Sequence, residues 1–340
     1  HPPKWCICEA TNVSANILSS LDANDILILP IINPNLGDNV LAQAWTCITL
    51  ASNERPFAGV VEINPNFSLN KKNSAYYMKY LLLHELSHVL GFNPYFFNEL
   101  GLLKTEQKNG ITKNYISSPK VLQTAKKYFN CANIEGVELE NQGEDGSAGS
   151  HWEARYMLGD YMISTDYPEM SISEITLAYF EDTGYYKVNY YTGGLFRYGK
   201  NRGCSFFEKD CVYNEGKDTL FPNEFCTEAE SFFCGSSHLS RGECYIVEHD
   251  EIIDSKFRYY SNSKKGGFSS ADYCPVSYNY YSELDSEYRY PYNCNYGANL
   301  YSELGEIIGS NSLCFESSLL PNIYNEALDF KVSICYEMKC

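Results

Sequence analysis

The chain has 340 residues, and its 43 Asp and Glu outnumber its 26 Lys and Arg to give a net charge of −17. It contains no run of basic residues that would form a phosphate-binding face, which argues against nucleic acid as a partner. It also contains no apolar stretch long enough to span a bilayer.

The first predicted elements are strands, because short apolar runs alternate with turn-forming sequences between residues 25 and 68. The runs DILILPII, AWTCITL and FAGVVEINP are rich in Ile, Val, Leu and Thr, a composition typical of strands. The following segment, NSAYYMKYLLLHELSHVLGF, predicts a helix that Asn73 or Ser74 caps and Gly91 ends. Strands followed by a buried helix indicate an α/β layer.

The next part of the chain mixes helices with a long loop. PKVLQTAKKYFNCAN predicts a helix, whereas the glycine-rich and acidic GVELENQGEDGSAGS predicts a loop. That loop is either a flexible linker or a tight loop that holds His151, the next residue. Ser171 and Glu174 then form a capping box at the start of a further helix, which Phe180 to Gly184 close.

Cysteine dominates the last part of the chain. Ten of the 14 cysteines lie between Cys204 and Cys340, and no C-x-x-C pair occurs. An even number of widely spaced cysteines indicates disulfides and an oxidising compartment, although the pairing is left open. The change in composition predicts three segments: residues 1–92, residues 93–200, and a cysteine-rich domain of residues 201–340.

Two N-glycosylation sequons fit the same compartment and make Asn12 and Asn66 candidate modification sites. We therefore expect the protein at the cell surface or outside the cell. The sequence HPPKWC at the start predicts that His1 is a processed N-terminus. A lipid-anchor signal beyond the other end was either removed or never existed.

The predicted helix carries the motif HELSH, with His84, Glu85 and His88. Histidines four positions apart share one helix face and can bind one zinc ion. Glu85 is rotated about 100° around the axis from His84, beside the water molecule that zinc would activate. It can therefore act as general base in amide hydrolysis. Two histidines satisfied inside a core helix are the alternative, but that interpretation leaves the buried carboxylate of Glu85 unexplained.

A catalytic zinc ion needs a third protein ligand. In the compact form of the motif this ligand stands three residues after Gly91, where the chain has Pro94. His151, after the glycine-rich loop, is the candidate third ligand, and Met162 follows it by eleven residues in a turn-like setting. The remaining histidines are expected to be terminal or surface residues: His1, His238 and His249.

Several segments in the same order resemble the leishmanolysin family of zinc metalloproteases, a metzincin group with a long insertion before its third histidine. NERPFAGVVEIN is similar to the family's edge strand, and HELSHVLGF to its zinc helix. VELENQGEDGSAGSHWEAR resembles the approach to its third histidine, which corresponds to His151, and DYMIS resembles its Met-turn, which gives Met162. The resemblance extends from about residue 40 to the end of the chain. The chain departs from the family in the sequence MIS, where a proline often follows.

The resemblance implies an α+β fold: a metzincin-like catalytic domain, with a twisted mixed sheet, a zinc helix and a Met-turn, followed by a disulfide-rich and loop-rich C-terminal domain. It implies one catalytic Zn²⁺ bound by His84, His88 and His151, with Glu85 as general base. Proteins or peptides are the implied substrates. The strand predicted at residues 59–63 would hold the substrate backbone by strand addition, through Gly59, Val60, Val61 and Glu62.

Two alternatives from other classes remain open. One is a non-catalytic adhesion or structural protein on the same scaffold, favoured by the tyrosine-rich and cysteine-rich C-terminal region. The other is a zinc hydrolase that acts on something other than peptides. The sequence leaves open the natural substrate, the oligomeric state, the lipid anchor and the residue that stabilises the oxyanion.

Overall fold

The structure is a computed structural model that describes residues 20–22, 24–37, 40–66, 74–108, 110–143, 146–165, 167, 169–229, 232–278, 294–295, 302–317 and 332–339. These residues divide into two compact units. The first unit contains the described residues up to Leu103 together with Phe180–Lys187. The second unit contains Lys104–Tyr179 together with the described residues from Val188 onward.

The first unit contains a mixed three-stranded sheet, as the apolar runs predict. Its strands are β1 (Leu27–Ile32), β2 (Ala42–Thr49) and β3 (Pro56–Ile63), in the spatial order β1-β3-β2. β1 is parallel to β3, and β2 is antiparallel to it. β3 is buried along most of its length. Continuous burial of this kind is typical of a central strand.

The prediction that Gly59, Val60, Val61 and Glu62 lie on an edge strand is wrong. β3 pairs with β1 on one side and with β2 on the other, so its backbone N–H and C=O groups are already used in the sheet. A strand in this position cannot accept a further strand. β2 is the antiparallel edge, and no other strand of the described residues pairs with its outer side.

The helix predicted after the sheet is α1 (Ser74–Val89), and its proposed cap at Asn73 lies outside the described residues. α1 ends as predicted at Gly91, which has a φ of 110°. The N–H of Gly91 donates to His88 O at 3.2 Å, and the N–H of Phe92 donates to Ser87 O at 2.9 Å. This pair of hydrogen bonds is a Schellman motif, which turns the chain sharply away from the helix.

α1 packs closely against the sheet. The Thr46 hydroxyl of β2 donates to Val89 O at 2.9 Å, at the end of the helix. Gly59 of β3 lies directly under Val89, and a Cβ atom there would stand only 2.8 Å from Trp45 O. Beyond the helix, α2 (Pro94–Glu99) buries Phe96 and Phe97. The sheet and the buried aromatic residues of α2 together fix the direction of α1.

The second unit begins with a small sheet and four helices. Its first sheet has the order β4-β5-β6, with strands β4 (Leu103–Lys108), β5 (Ile111–Ile116) and β6 (Val137–Glu138). The helices are α3 (Pro119–Phe129), α4 (Ala154–Met157), α5 (Glu174–Asp182) and α6 (Ser205–Glu208). The last three residues of α5 belong to the first unit. α3 and α5 confirm the predicted helices, and β6 is a short strand inside a segment predicted as loop.

The capping box predicted for α5 is wrong by two residues. Ser173, not Ser171, caps the helix, because its hydroxyl accepts from the N–H of Thr176 at 3.0 Å. The Ser171 hydroxyl instead donates to Gly159 O at 3.3 Å.

The rest of the second unit is built from short strands and disulfides. The strands are β7 (Phe232–Cys234), β8 (Arg241–Cys244), β9 (Val247–Glu248), β10 (Lys265–Gly266), β11 (Ser277–Tyr278), β12 (Ser312–Ser317) and β13 (Val332–Glu337). They form sheets in the orders β11-β8-β7, β10-β9 and β12-β13. Five disulfides join the described residues: Cys131–Cys204, Cys211–Cys274, Cys226–Cys244, Cys234–Cys314 and Cys294–Cys335.

The predicted α+β class is therefore confirmed: the described residues form small sheets and few helices, and five disulfides join them. Within the described segments, no helix combines the length and the apolar character that a membrane crossing requires.

Candidate metal centre

His84 and His88 present their imidazoles on one face of α1, as their spacing predicts. Their Nε2 atoms are 3.1 Å apart, and their ring centroids are 4.7 Å apart. Zn–N bonds of about 2.0–2.1 Å on a tetrahedron place two ligand nitrogens roughly 3.3 Å apart. The two rings therefore converge as a pair of ligands to one ion would.

The turn after α1 fixes the ring of His88. Its Nδ1 lies 2.7 Å from Phe92 O, the residue that the Schellman motif places behind the helix end. Because a carbonyl oxygen only accepts, the proton is on Nδ1 and the lone pair is on Nε2. A carbonyl partner of this kind orients a metal-binding imidazole and raises its basicity.

His151 is held in the same way by the loop that precedes it. Its Nδ1 lies 2.9 Å from Ser147 O and 2.9 Å from the Ser150 hydroxyl. Its own carbonyl accepts from the N–H of Glu140 at 2.9 Å. In the described part of the glycine-rich segment, residues 146–150 therefore hold His151, as the second interpretation of its composition predicts. The lone pair of this imidazole is again on Nε2.

Among the described residues, one group of three side chains has the arrangement of metal ligands: His84, His88 and His151. Their candidate ligand atoms all lie within 4.8 Å of one another. Three neutral imidazoles are a ligand set that suits a zinc ion with one position left open. The residues present therefore fit the metal that the motif predicts.

Glu85 is buried beside the two helix histidines, with 4% of its surface exposed. Burial raises the pKa of its carboxyl group to about 8. A carboxyl with this pKa is mostly protonated at neutral pH unless a positive charge lies nearby, because burial disfavours its charged form.

Met162 is fully buried in a turn that hydrogen bonds to the residue after His151. The Trp152 N–H donates to Met162 O at 2.9 Å, and the Met162 N–H donates to an oxygen of Asp160 at 2.8 Å. The sequence GDYMIS predicted a turn here, but it did not predict that Asp160 stabilises this turn. The position of an acidic residue two places before the methionine was the available signal.

The remaining candidate residues have structural surroundings of their own. Glu62 accepts from the side chains of Asn33 and Gln43, at 3.1 Å and 2.6 Å. The Asn66 side chain is exposed, and its amide donates to Pro34 O at 3.1 Å. Asn12 lies outside the described residues.

These features define a class of protein: an α+β fold that carries two histidines and a glutamate on an HExxH helix, within a three-histidine group suited to a metal ion. A family model described as leishmanolysin, peptidase M8, matches residues 5–340. The chain therefore belongs to the leishmanolysin family, which is a family of zinc-dependent metalloendopeptidases.

Curated relatives agree with this family. The chain is 31% identical over 258 residues to a leishmanolysin homolog of Crithidia fasciculata, a match that covers 74% of this chain and 39% of the relative. It is 27% identical over 336 residues to leishmanolysin of Leishmania donovani, covering 96% of this chain and 54% of the relative. A leishmanolysin-like peptidase of Caenorhabditis elegans is 26% identical to the chain over 379 residues, a match that covers 89% of this chain and 56% of the relative. The matches span about half the length of these relatives.

Proposed function

We propose that this chain is a zinc endopeptidase that hydrolyses peptide bonds in proteins or peptides. The observation that carries the proposal is the group formed by His84, His88 and His151, with Glu85 next to the first ligand, in a chain of a metalloendopeptidase family. Each histidine would offer Nε2 to one Zn²⁺. The carbonyl partners of His88 and His151 support this choice of nitrogen.

Glu85 is the proposed general base and later the general acid. A zinc ion held by the three histidines would supply Lewis-acid activation of a water molecule and of the scissile carbonyl. Glu85 accepts the proton of the attacking water and passes it to the leaving amine. Burial raises the pKa of Glu85 to about 8. The positive charge of a bound zinc ion would lower this pKa, so that the carboxylate form is present to accept the proton.

The Met-turn and the segment boundaries belong to the same proposal. Met162 is the proposed Met-turn residue below the metal, supported by its complete burial and its hydrogen bond to Trp152. Residues 1–92 would carry the zinc helix, residues 93–200 the third ligand and the Met-turn, and residues 201–340 the disulfide-rich domain.

We assign substrate binding by strand addition to β2 instead of β3. An extended peptide needs a strand whose outer backbone groups are available. β2 is the antiparallel edge of the described sheet, and its register shifts between Thr46 and Ile48. Such irregularities are over-represented at sheet edges and next to active sites.

An extracellular or cell-surface location completes the proposal. Five disulfides among the described residues support an oxidising compartment. The exposed side chain of Asn66 is accessible for glycosylation, and Asn12 is a second candidate. A lipid anchor is the proposed route of any membrane attachment.

Casein cleavage by the purified protein, with and without a zinc chelator, tests the activity. Glu85→Gln keeps the size of the side chain and removes the base. We expect it to retain zinc and to lose about 10²- to 10⁴-fold in kcat/KM. His151→Ala is expected to lose zinc, measured by metal analysis. His249→Ala is the matched control, because the imidazole of His249 instead lies 3.0 Å from Gly267 O.

Two results would contradict the proposal in different ways. A protein that binds zinc but cleaves no protein substrate, with or without Glu85, would be a non-catalytic binding protein on the same scaffold. A metal content near zero in the wild-type protein would remove the zinc centre itself.

A further inference from the structure

The carboxylate of Asp160 is a buried hydrogen-bond acceptor that the mechanism does not use. Asp160 is fully buried. One of its oxygens accepts from the Met162 N–H at 2.8 Å. The other accepts from the Ser173 N–H at 3.1 Å and from the Thr176 hydroxyl at 2.8 Å. The carboxylate thus joins the turn at Met162 to the first turn of α5.

Thr176 and Trp152 extend this connection to the residue next to His151. The indole N–H of Trp152 donates to the Thr176 hydroxyl at 2.8 Å, and that hydroxyl in turn donates to Asp160. The Trp152 backbone N–H donates to Met162 O at 2.9 Å. The hydrogen bonds form a closed ring through four residues: Trp152, Thr176, Asp160 and Met162. Trp152 is fully buried, so its indole is confined in this position.

We propose that Asp160 is a positioning residue for the third metal ligand. Its carboxylate fixes the Met162 turn directly, and through Thr176 and Trp152 it fixes the backbone that carries His151. The inference rests on the proposed zinc centre and adds the residue that holds one side of it in place. Metal sites bind tightly when the groups behind the ligands lock them in the binding geometry before the ion arrives.

The chemistry of the three donors explains why this position carries a carboxylate. Three N–H and O–H groups converge on two oxygens, and each oxygen accepts without donating. An asparagine of the same size has one acceptor oxygen and one NH₂ group. In either orientation its NH₂ faces a backbone N–H, of Met162 or of Ser173. One buried N–H group then loses its acceptor, and the ring opens at that point.

Asp160→Asn is therefore the main variant, and Glu169→Gln is its matched control. Glu169 is also a buried acid that accepts a backbone N–H, from Ser237 at 2.7 Å, but the described hydrogen bonds do not link it to the ring. Zinc affinity is measured by competition with a chromogenic chelator. The visible spectrum of the Co²⁺-substituted protein reports the geometry of the ligands. Thermal unfolding of the metal-free proteins reports folding.

We expect Asp160→Asn to weaken zinc binding about 10- to 100-fold and to change the Co²⁺ spectrum. Glu169→Gln should leave both at the wild-type values. Wild-type zinc affinity together with a wild-type Co²⁺ spectrum in folded Asp160→Asn would overturn the inference and leave Asp160 a purely structural residue.

A second pair of variants decides the question if Asp160→Asn does not fold. Thr176→Val removes the hydroxyl from the ring, whereas Thr176→Ser keeps it. Weaker zinc binding in Thr176→Val and wild-type binding in Thr176→Ser would support the inference, and equal binding in the two would overturn it. If the wild-type protein binds no zinc, the proposed function falls and the inference falls with it. If zinc binding needs His151 but not Asp160 or the Thr176 hydroxyl, only the inference falls.

Discussion

The tautomers of His88 and His151 are each set by a carbonyl oxygen four residues away in the chain. Phe92 follows His88 and Ser147 precedes His151, and each carbonyl lies within 2.9 Å of the Nδ1 atom. Glycines make both approaches possible: Gly91 ends α1 with a φ of 110°, and Gly149 has a φ of 74° in the loop before His151. The pattern of glycines around a histidine was therefore part of the signal for a ligand, beyond the histidines themselves.

Gly59 is the residue at which the packing of α1 on the sheet is most sensitive. A Cβ atom there would overlap Val89 and stand 2.8 Å from Trp45 O. We expect Gly59→Ala to lower the free energy of unfolding by about 1–3 kcal/mol, because strand or helix must shift to make room. Urea unfolding followed by circular dichroism measures the change.

Gly37→Ala is the control for this prediction. The nearest atom to a Cβ at Gly37 is Val40 Cγ2, at 3.7 Å, which is an ordinary contact. Equal unfolding midpoints for the two variants would show that the close approach at Gly59 does not limit packing.

The elements around α1 could be predicted from the sequence, but their arrangement could not. Apolar runs between turn-forming sequences predicted all three strands of the first sheet, and the cap residues and Gly91 predicted α1. The order of the strands depends on pairing between distant segments, which no single strand shows by itself. The continuous apolar run FAGVV was the available sign in the sequence of a central place for β3. The prediction of the α5 cap failed for a local reason. Ser171 and Ser173 both precede the helix, and the sequence does not show which of them caps it.

Asn93 connects two elements at the exit of α1, and its substitution tests that connection. Its side-chain oxygen caps α2 by accepting from the N–H groups of Tyr95 and Phe96, at 3.1 Å and 3.3 Å. Its amide donates to His88 O at 3.1 Å. We expect Asn93→Ala to cost about 1–2 kcal/mol in the free energy of unfolding, since both functions are lost.

Asn93→Asp separates the cap from the hydrogen bond to His88. An aspartate keeps an acceptor at the start of α2 but places an oxygen against His88 O. We expect the thermal unfolding midpoint of Asn93→Asp to lie between those of the wild type and Asn93→Ala. The difference from the wild type then measures the loss of the hydrogen bond to His88 O. A midpoint for Asn93→Asp at or below that of Asn93→Ala would show that the cap contributes little.

At the scale of the whole molecule, disulfides add covalent links to a second unit that also has a core of buried aromatic side chains. The described disulfides close loops whose ends are separated by 18 to 80 residues in sequence, all in the second unit. The even cysteine count predicted this kind of domain, but the pairing follows from contacts between remote segments and has no local signal. The same distinction holds for the candidate site. His84, Glu85, His88 and His151 could be found from motif and spacing, whereas the ring through Asp160 needs the folded chain.

The pH dependence of stability is a property of the whole molecule to which Glu169 contributes strongly. Burial raises the pKa of Glu169 to about 7 from an ordinary value of 4.5, although the Ser240 hydroxyl and the N–H groups of Ser237, Ser240 and Leu239 oppose the shift. The folded protein therefore holds this proton between pH 4.5 and pH 7 while the unfolded chain has released it. The contribution to stability is fully present below pH 4.5 and is lost as the pH rises through 7.

We accordingly expect the metal-free protein to gain about 1 kcal/mol in the free energy of unfolding from Glu169 when the pH falls from 8 to 6. Glu169→Gln keeps an acceptor for Ser237 and cannot ionise, so this part of the pH dependence should vanish. Urea titrations at pH 6, 7 and 8 in the presence of a chelator measure it, with Glu251→Gln, at an exposed carboxylate, as the control. Other titrating groups act equally in all three proteins, so the difference between the wild type and Glu169→Gln isolates this carboxyl. An unchanged difference across the three pH values would mean that Glu169 stays ionised in the fold, held by the N–H groups of the 237–240 loop despite its burial.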